Sequence, residues 1–350
     1  MERSKVTAYE VAKRAGVSQP TVSRVFTPGQ RVSADKKDRV RRAARDLGYL
    51  PNTLARSLNT GRSFTVGIVL AYLKNPFYTD ALQKLSEALS AEGYHVIVFF
   101  AANMADEVDG VVDDLLAHQV DGIILASVSV SNDLTARLQD LGMPYVLFNR
   151  GQEDRSLPAV TAANYTGGRK VADFLVKGGH TRIAHIAGWR KSLTGMDRCA
   201  GFVEGLAEHE MEPLSVIDSH YRRNVAREAV LTLFDAPVVP DAIFVGNDHM
   251  AFSVLETLRE ELGLTVPDDV SVVGYDDVPM ASWRTFSLTT MRQPANRMVA
   301  ETVRLLIGTI ERSEAHSGHI EIDSQLIVRG SARVPDNWPS QANDTTSSTE

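Results

Sequence analysis

The sequence predicts a small all-α head followed by an α/β core of two similar lobes, each a mostly parallel sheet flanked by helices. Three observations carry that prediction. The first 50 residues show only helical periodicity, short Val- and Ile-rich runs alternate with amphipathic stretches from Phe64 onward, and the alternation restarts near residue 164. At 350 residues the chain exceeds one typical domain and can supply a large core.

In the head, Thr7 is a good N-cap and Glu10 sits where a capping box wants its carboxylate, so the first helix starts there. Val11, Ala12 and Ala15 form its apolar stripe, and Gly16 ends it in a left-handed turn. Ser18 is expected to cap a second helix, whose first turn tolerates Pro20. Val22, Val25 and Phe26 lie three and four apart and face the first helix, which leaves Gln19, Pro20, Ser23 and Arg24 outside. The result is a helix-turn-helix with an exposed reading face. Arg24 can reach guanine O6 and N7 with two hydrogen bonds, Gln19 can read adenine or contact phosphate, and Ser18, Thr21 and Ser23 suit backbone phosphates. Thr7 completes this set of candidate DNA contacts. A generic helical hairpin with a solvated Arg is the competing reading.

Ser33 is expected to cap a third helix with Val40, Ala43, Ala44 and Leu47 inward and six Lys or Arg outward, closed by Gly48. Asn52 then heads a segment of about two turns, Thr53 to Asn59, too short to be helical alone. Residues 1–60 hold 13 Lys plus Arg against 5 Asp plus Glu, a charge of +8, so within the whole-chain charge of −7 the remainder carries −15. A basic head on an acidic body points to DNA phosphates as the partner of the head alone.

From Phe64 the runs at 64–71, 94–100, 122–126 and 145–148 read as buried strands, with helical spacing between them at Ala81, Leu82, Leu85, Ala88 and Leu89 and at Val111, Val112, Leu115 and Leu116. The second half repeats this with strands at 182–186, 242–245 and 270–276 and helices from Thr166, Met196 and Asp248. A late helix, 296–310, and strands near 320–328 make the count uneven. Pro335 onward is polar and expected to be disordered.

The segments AGVSQPTVSRVF, RVRRAARDLGYLPN and ARSL resemble the headpiece and hinge of the LacI/GalR family of bacterial transcription regulators, and the likeness runs through most of the chain. The resemblance implies a helix-turn-helix domain at 1–50, a hinge helix or linker at 51–62 and a periplasmic-binding-protein-like core at 63–334. It divides that core into an N-lobe, about 63–162 and 292–319, and a C-lobe, about 163–291 and 320–334, followed by the tail 335–350. It places Gln19, Pro20 and Arg24 on base-reading positions and makes Asn52, Ala55 and Leu58 DNA-facing hinge residues, with Leu58 wedged into the minor groove of operator DNA. The tail lacks the leucine heptads by which some relatives form tetramers, so a homodimer is expected.

Ligands of parallel sheets bind where strands end, which selects Phe77 and Tyr78, Asn149 and Arg150, Asn247 and Asp248, and Asp276, with Arg198 at the start of a long helix. Such residues suit a polyol, since amides, carboxylates and guanidinium groups pair with hydroxyls. Asp248 is expected to cap its helix rather than touch a ligand. The resemblance favours Arg198, Asn247 and Asp276, in DRCAGF, VGNDHMA and VVGYDD, as effector contacts, and carries over Thr194 and Tyr221. Trp189 stands where many members have Pro. Arg150 with Arg198 suits an acidic sugar or sugar phosphate, the competing reading being that either Arg pairs with a neighbouring Asp.

Enzyme classes find no support. GxGxxG after the first strand, GxxxxGK[ST], GxSxG and HExxH are all missing, HEMEP at His209 lacks its second His, and the lone Cys199 forbids an internal disulfide. No cofactor and no metal are expected. The N-terminus has no apolar signal core and no run of about 18 apolar residues occurs, so a cytoplasmic protein that makes no membrane contact is expected. The expected function is sequence-specific DNA binding as a repressor, controlled by a sugar or sugar-derivative effector between the core lobes. A solute-binding receptor of a sugar transporter shares the two-lobed plan but needs an export signal and no DNA-binding head, and a core that only dimerises is a third reading.

Overall fold

A computed structural model describes residues 6–26, 31–49, 61–71, 73–101, 105–128, 130–312, 318–336 and 338. The expected hinge segment with Asn52, Ala55 and Leu58 lies outside the described residues.

The headpiece is built from α1 (Ala8–Ala15), α2 (Gln19–Val25) and α3 (Ala34–Leu47). The capping box at its start is formed: Thr7 N donates to Glu10 Oε2 at 2.7 Å and Glu10 N to Thr7 Oγ1 at 3.4 Å. Gly16 ends α1 at φ 63°. The carbonyls of that helix end are held from across the fold, since Arg39 of α3 donates to Ala15 O through Nε at 3.1 Å and to Gly16 O at 3.1 Å. Neither Ser18 nor Ser33 caps through its side chain. Ser18 Oγ lies 2.9 Å from Thr21 Oγ1 instead, because two hydroxyls one helical turn apart satisfy each other. Val11, Ala12, Ala15, Val22, Val25, Val40, Ala43 and Ala44 make a separate small core, with Phe26 against Tyr49 at 6.0 Å.

The core begins with β1 (Thr65–Leu70), β2 (His95–Phe100), β3 (Gly122–Ala126), β4 (Tyr145–Phe148) and β5 (Ala159–Ala162), joined through α4 (Pro76–Ala91), α5 (Ala105–Ala117) and α6 (Asn132–Asp140). The second lobe follows with β6 (Ile183–Ala187), β7 (Ser215–Asp218), β8 (Ala242–Val245), β9 (Ser271–Asp276) and β10 (Thr289–Arg292), flanked by α7 (Asn164–Lys177), α8 (Leu193–Ala207), α9 (Arg223–Phe234) and α10 (Asp248–Glu256). The chain then returns through α11 (Ala295–Arg312), which packs on α4 and on β3 to β5 of the first lobe. Finally β11 (His319–Ile322) joins the first sheet and β12 (Gln325–Ile327) the second.

The orders are β11-β5-β4-β3-β1-β2 and β12-β10-β9-β8-β6-β7. Strand pairs are parallel except β10 with β12. The strand runs named from sequence are all present, whereas β5, β7 and β10 were not anticipated. Each is four residues of mixed polarity, AVTA, SVID and TTMR, so neither apolar run length nor alternation marks it. Since β11 continues to Ile322 in the first sheet, the last passage between lobes falls at residues 323–324 and not at 319–320. The helices after β5 and β6 also begin earlier than expected, at Asn164 and Leu193. At the other end Pro335 is buried and Trp338 meets Phe174 edge-on at 4.8 Å, which corrects the expected disorder at the start of the tail. An indole that covers apolar surface is worth ordering even in a polar segment.

Candidate functional site

The carboxyl ends of both sheets face one cleft of ≈ 1150 Å³ between the lobes. Ser127 follows β3, Asn149 and Arg150 follow β4, and Lys74, Asn75 and Tyr78 follow β1 from the first lobe. The second lobe contributes Trp189 after β6, His220 to Asn224 after β7, Asn247 after β8 and Asp276 at the end of β9. Sharp turns at these ends aim the side chains inward. Ser127, Asn149, His220, Tyr221 and Asp276 all adopt positive φ (59°, 61°, 53°, 58° and 130°), a cost of order 1–3 kcal/mol each that collects at binding sites.

Arg198 organises the second-lobe wall. It is 3 % exposed, donates through Nε to Asn164 Oδ1 at 2.9 Å and through Nη1 to Gly246 O at 2.7 Å, and lies over the Tyr275 ring at 3.6 Å. Its position depends on close approach of α7 and α8: a Cβ on Gly168 would collide with the Arg198 carbonyl. Asp276 stands 3.8 Å from the Arg198 guanidinium and accepts from Asn75 Nδ2 at 3.0 Å and Gln293 Nε2 at 2.6 Å. Burial raises the Asp276 carboxyl above its ordinary range, and Arg198 and the two amides oppose that rise. Because Asn75 belongs to the first lobe and Asp276 to the second, this hydrogen bond ties the lobes across the cleft. Thr194 Oγ1 donates to Asn149 O at 3.0 Å and makes a second tie.

Asn149 Nδ2 donates to the Tyr78 hydroxyl at 2.9 Å. Asn149 Oδ1, Gln293 Oε1 and the Tyr221 hydroxyl are buried without a hydrogen-bond partner, each at a cost of about 1–3 kcal/mol if it stays so. Three such atoms around one cleft fit a site that takes its donors from a ligand.

Of the residues named from sequence, Tyr78, Asn149, Arg150, Thr194, Arg198, Tyr221, Asn247 and Asp276 line the cleft. Phe77 does not. It is 4 % exposed and stacks on Phe148 at 6.5 Å, since position N2 of α4 points it into the first-lobe core. Asp248 does not cap α10 either. Asn247 holds that role, with Oδ1 accepting from Met250 N at 3.0 Å. Asp248 is fully buried below, where it accepts from Val278 N at 3.0 Å and Thr290 Oγ1 at 2.6 Å. Burial first, and then the nearby Asp276, push its carboxyl up to about 8. Sequence reasoning missed Lys74, Asn75, Ser127, His220, Arg222, Arg223, Asn224, His249 and Gln293. After β1 the strand-end rule selected Phe77 and Tyr78 and passed over Lys74 and Asn75, and applied to the unrecognised β7 and β10 it would have found Arg222 to Asn224 and Gln293.

The head offers a second candidate surface. Thr7, Ser18, Gln19, Pro20, Ser23 and Arg24 are exposed and Thr21 is half-buried, while Val22 and Val25 turn inward. The face is continuous and polar, and Pro20 lies in the first turn of α2 as expected.

Residues 7–52 match the bacterial regulatory proteins of the lacI family and residues 172–332 a periplasmic binding protein-like domain. Over 343 residues the chain is 34 % identical to the HTH-type transcriptional regulator CelR of Thermobifida fusca, covering 95 % of this chain and 100 % of CelR. The chain belongs to the lacI family. It is a DNA-binding transcriptional regulator. This lacI-family protein is also 28 % identical over 335 residues to the transcriptional repressor CytR of Escherichia coli K12, covering 95 % and 98 % of the two chains. Among solved structures it is similar to the lac repressor dimer bound to operator and the anti-inducer ONPF, with a TM-score of 0.81, 26 % identity, and 94 % and 99 % of the chains covered. A CelR–cellobiose complex gives a TM-score of 0.70 at 32 % identity, covering 94 % of this lacI-family chain and 100 % of the other. Among the described residues no helix is long and apolar enough to cross a membrane, and no group of three His, Cys, Asp or Glu side chains is placed to hold a metal ion.

Proposed function

We propose that this regulator is a cytoplasmic repressor that binds operator DNA as a homodimer and changes its operator affinity when a polyhydroxylated effector occupies the interlobe cleft. The observation that carries the reading is the cleft itself: eight residues named from sequence converge there, beside three buried polar atoms that lack partners. Gln19, Pro20 and Arg24 read bases, and Thr7, Ser18, Thr21 and Ser23 hold phosphates. Asn52, Ala55 and Leu58 make the hinge contacts to DNA, with Leu58 wedged in the minor groove. Asn149, Asn247, Asp276, Arg198, Thr194 and Tyr221 pair with ligand hydroxyls, while Tyr78 and Trp189 supply aromatic faces.

The ties from Asn75 to Asp276 and from Thr194 to Asn149 O break if the lobes separate, so a ligand that engages both walls favours one lobe arrangement over the other. Coupling to DNA requires such differential affinity for two arrangements. The test is fluorescence anisotropy of the full chain with DNA from upstream of its own gene, over a salt series, with and without sugars. Selective, salt-sensitive binding that one compound shifts supports the proposal. Selective binding unmoved by every compound removes the effector role, and failure to prefer any DNA removes the operator role.

A further inference from the structure

The charge inside the cleft is one-sided. Lys74, Arg150, Arg198, Arg222 and Arg223 line it, and Asp276 is the one carboxylate among the described lining residues. Asp276 is already matched within the wall by Arg198, so these two cancel. Asp248 below adds little negative charge at neutral pH, because its carboxyl keeps its proton. Of the remaining cations Arg150 is buried deeper in, and the other three lie at the mouth. Lys74 comes from the first lobe and is exposed, while Arg222 and Arg223 come from the second and are exposed as well. Arg223 reaches Glu256 at 3.4 Å, an exposed pair that offsets part of its charge, so Lys74 and Arg222 carry most of the excess there. His249 lies among them, and burial, Arg223 and Lys74 all lower its proton affinity, so cations of both lobes act on one point.

Deeper in, the Arg150 guanidinium lies 5.7 Å from the Trp189 ring centroid, and the amides of Asn75, Asn149, Asn247 and Gln293 surround the floor. A cleft with a polyol-pairing floor and a cationic mouth divided between two lobes has a physical consequence. Bringing the lobes together concentrates like charge, which an anion between Lys74 and the Arg222–Arg223 pair offsets.

We infer that the effector is an anionic carbohydrate, whose hydroxyls occupy the floor and whose carboxylate or phosphate lies at the mouth between Lys74 of one lobe and Arg222 and Arg223 of the other. The inference rests on the reading of this cleft as the effector site. It also gives the acid group a direct part in control, because a neutral sugar engages the floor without relieving repulsion between the lobes.

Thermal shift and isothermal titration on the full chain test it, with glucose, galactose and cellobiose set against glucuronate, galacturonate, cellobionate and glucose 6-phosphate, and inorganic phosphate alone as a further arm. An acid is expected to bind at least about tenfold more tightly than its neutral parent, as one charge-assisted contact supplies. That ratio is expected to shrink as salt rises from about 0.05 to about 0.5 M. The carboxylate and phosphate arms say which anion the mouth takes. Lys74→Gln with Arg222→Gln is expected to lower the acid-to-neutral ratio by about fivefold. A neutral parent that binds as tightly as its acid overturns the charge class and leaves the effector site standing. Inorganic phosphate that stabilises the chain as much as the sugar acids do overturns the carbohydrate part. If no compound binds, the effector reading fails and this inference with it.

Discussion

The reading face of the head and the interlobe cleft are both polar, but they are made in opposite ways. The head places its candidate contacts within 18 consecutive residues, Thr7 to Arg24, all exposed on two short helices and their caps except the half-buried Thr21. The cleft draws its residues from Ala71 to Gln293 and buries Asn149, Arg198, Asn247 and Asp276 to 3 % exposure each. Exposed groups interact through high-dielectric solvent and are nearly independent of one another; buried groups must be satisfied together. The difference teaches that head residues can change singly to alter which DNA is read, whereas cleft residues stand or fall as a network that also holds the lobes in register.

Arg198→Ala is the sharpest way to break that contrast. It leaves Asp276 buried without its cation and removes the donors to Asn164 and Gly246, with an expected loss of about 3–5 kcal/mol of core stability in urea unfolding. Amide exchange in α1 to α3 should stay as it is. A loss below about 1 kcal/mol would show that the network is dispensable, and a parallel change in the head would show that the two regions are not independent. Arg24→Ala comes next, since an exposed side chain that reads a base should cost about 1–3 kcal/mol on the preferred operator and relax preference at one position. The melting temperature should not move. Equal weakening on random DNA would instead make Arg24 a phosphate contact.

Asp248→Asn gives the smallest effect at pH 5 and tests protonation directly through its pH dependence. The folded carboxyl keeps its proton up to about 8, against an ordinary 3.8 when unfolded. Between these values the folded state binds the extra proton, so the stability this group contributes is full below about 4 and is lost as pH rises through about 8. An amide mimics the protonated acid, accepting from Val278 N and donating to Thr290 Oγ1. The variant should lie within about 1 kcal/mol of the parent at pH 5 and gain relative to it at pH 8 by calorimetry. The described charged side chains of the head are all exposed, so no such slope is expected there. An unchanged difference between pH 5 and pH 8 would mean that Asp248 is ionised in the folded protein.

The sequence by itself determined the elements and the face of each that turns outward. The capping box at Thr7, the left-handed ends at Gly16 and Gly48, the strand runs and the exposed side of α2 all follow from periods of 3.6 or 2 and from capping chemistry, which involve residues at most four apart. Only the tertiary structure decided which strand ends meet. That Phe77 enters the core while its neighbour Tyr78 lines the cleft, that Asp248 turns to Val278 and Thr290, and that Lys74 shares a mouth with Arg222 and Arg223 all depend on elements far apart in the chain. The same limit hid β5, β7 and β10, whose four-residue strands are stabilised by their neighbours in the sheet and not by their own composition. Burial and charge compensation are set by those distant neighbours, so no local pattern encodes them.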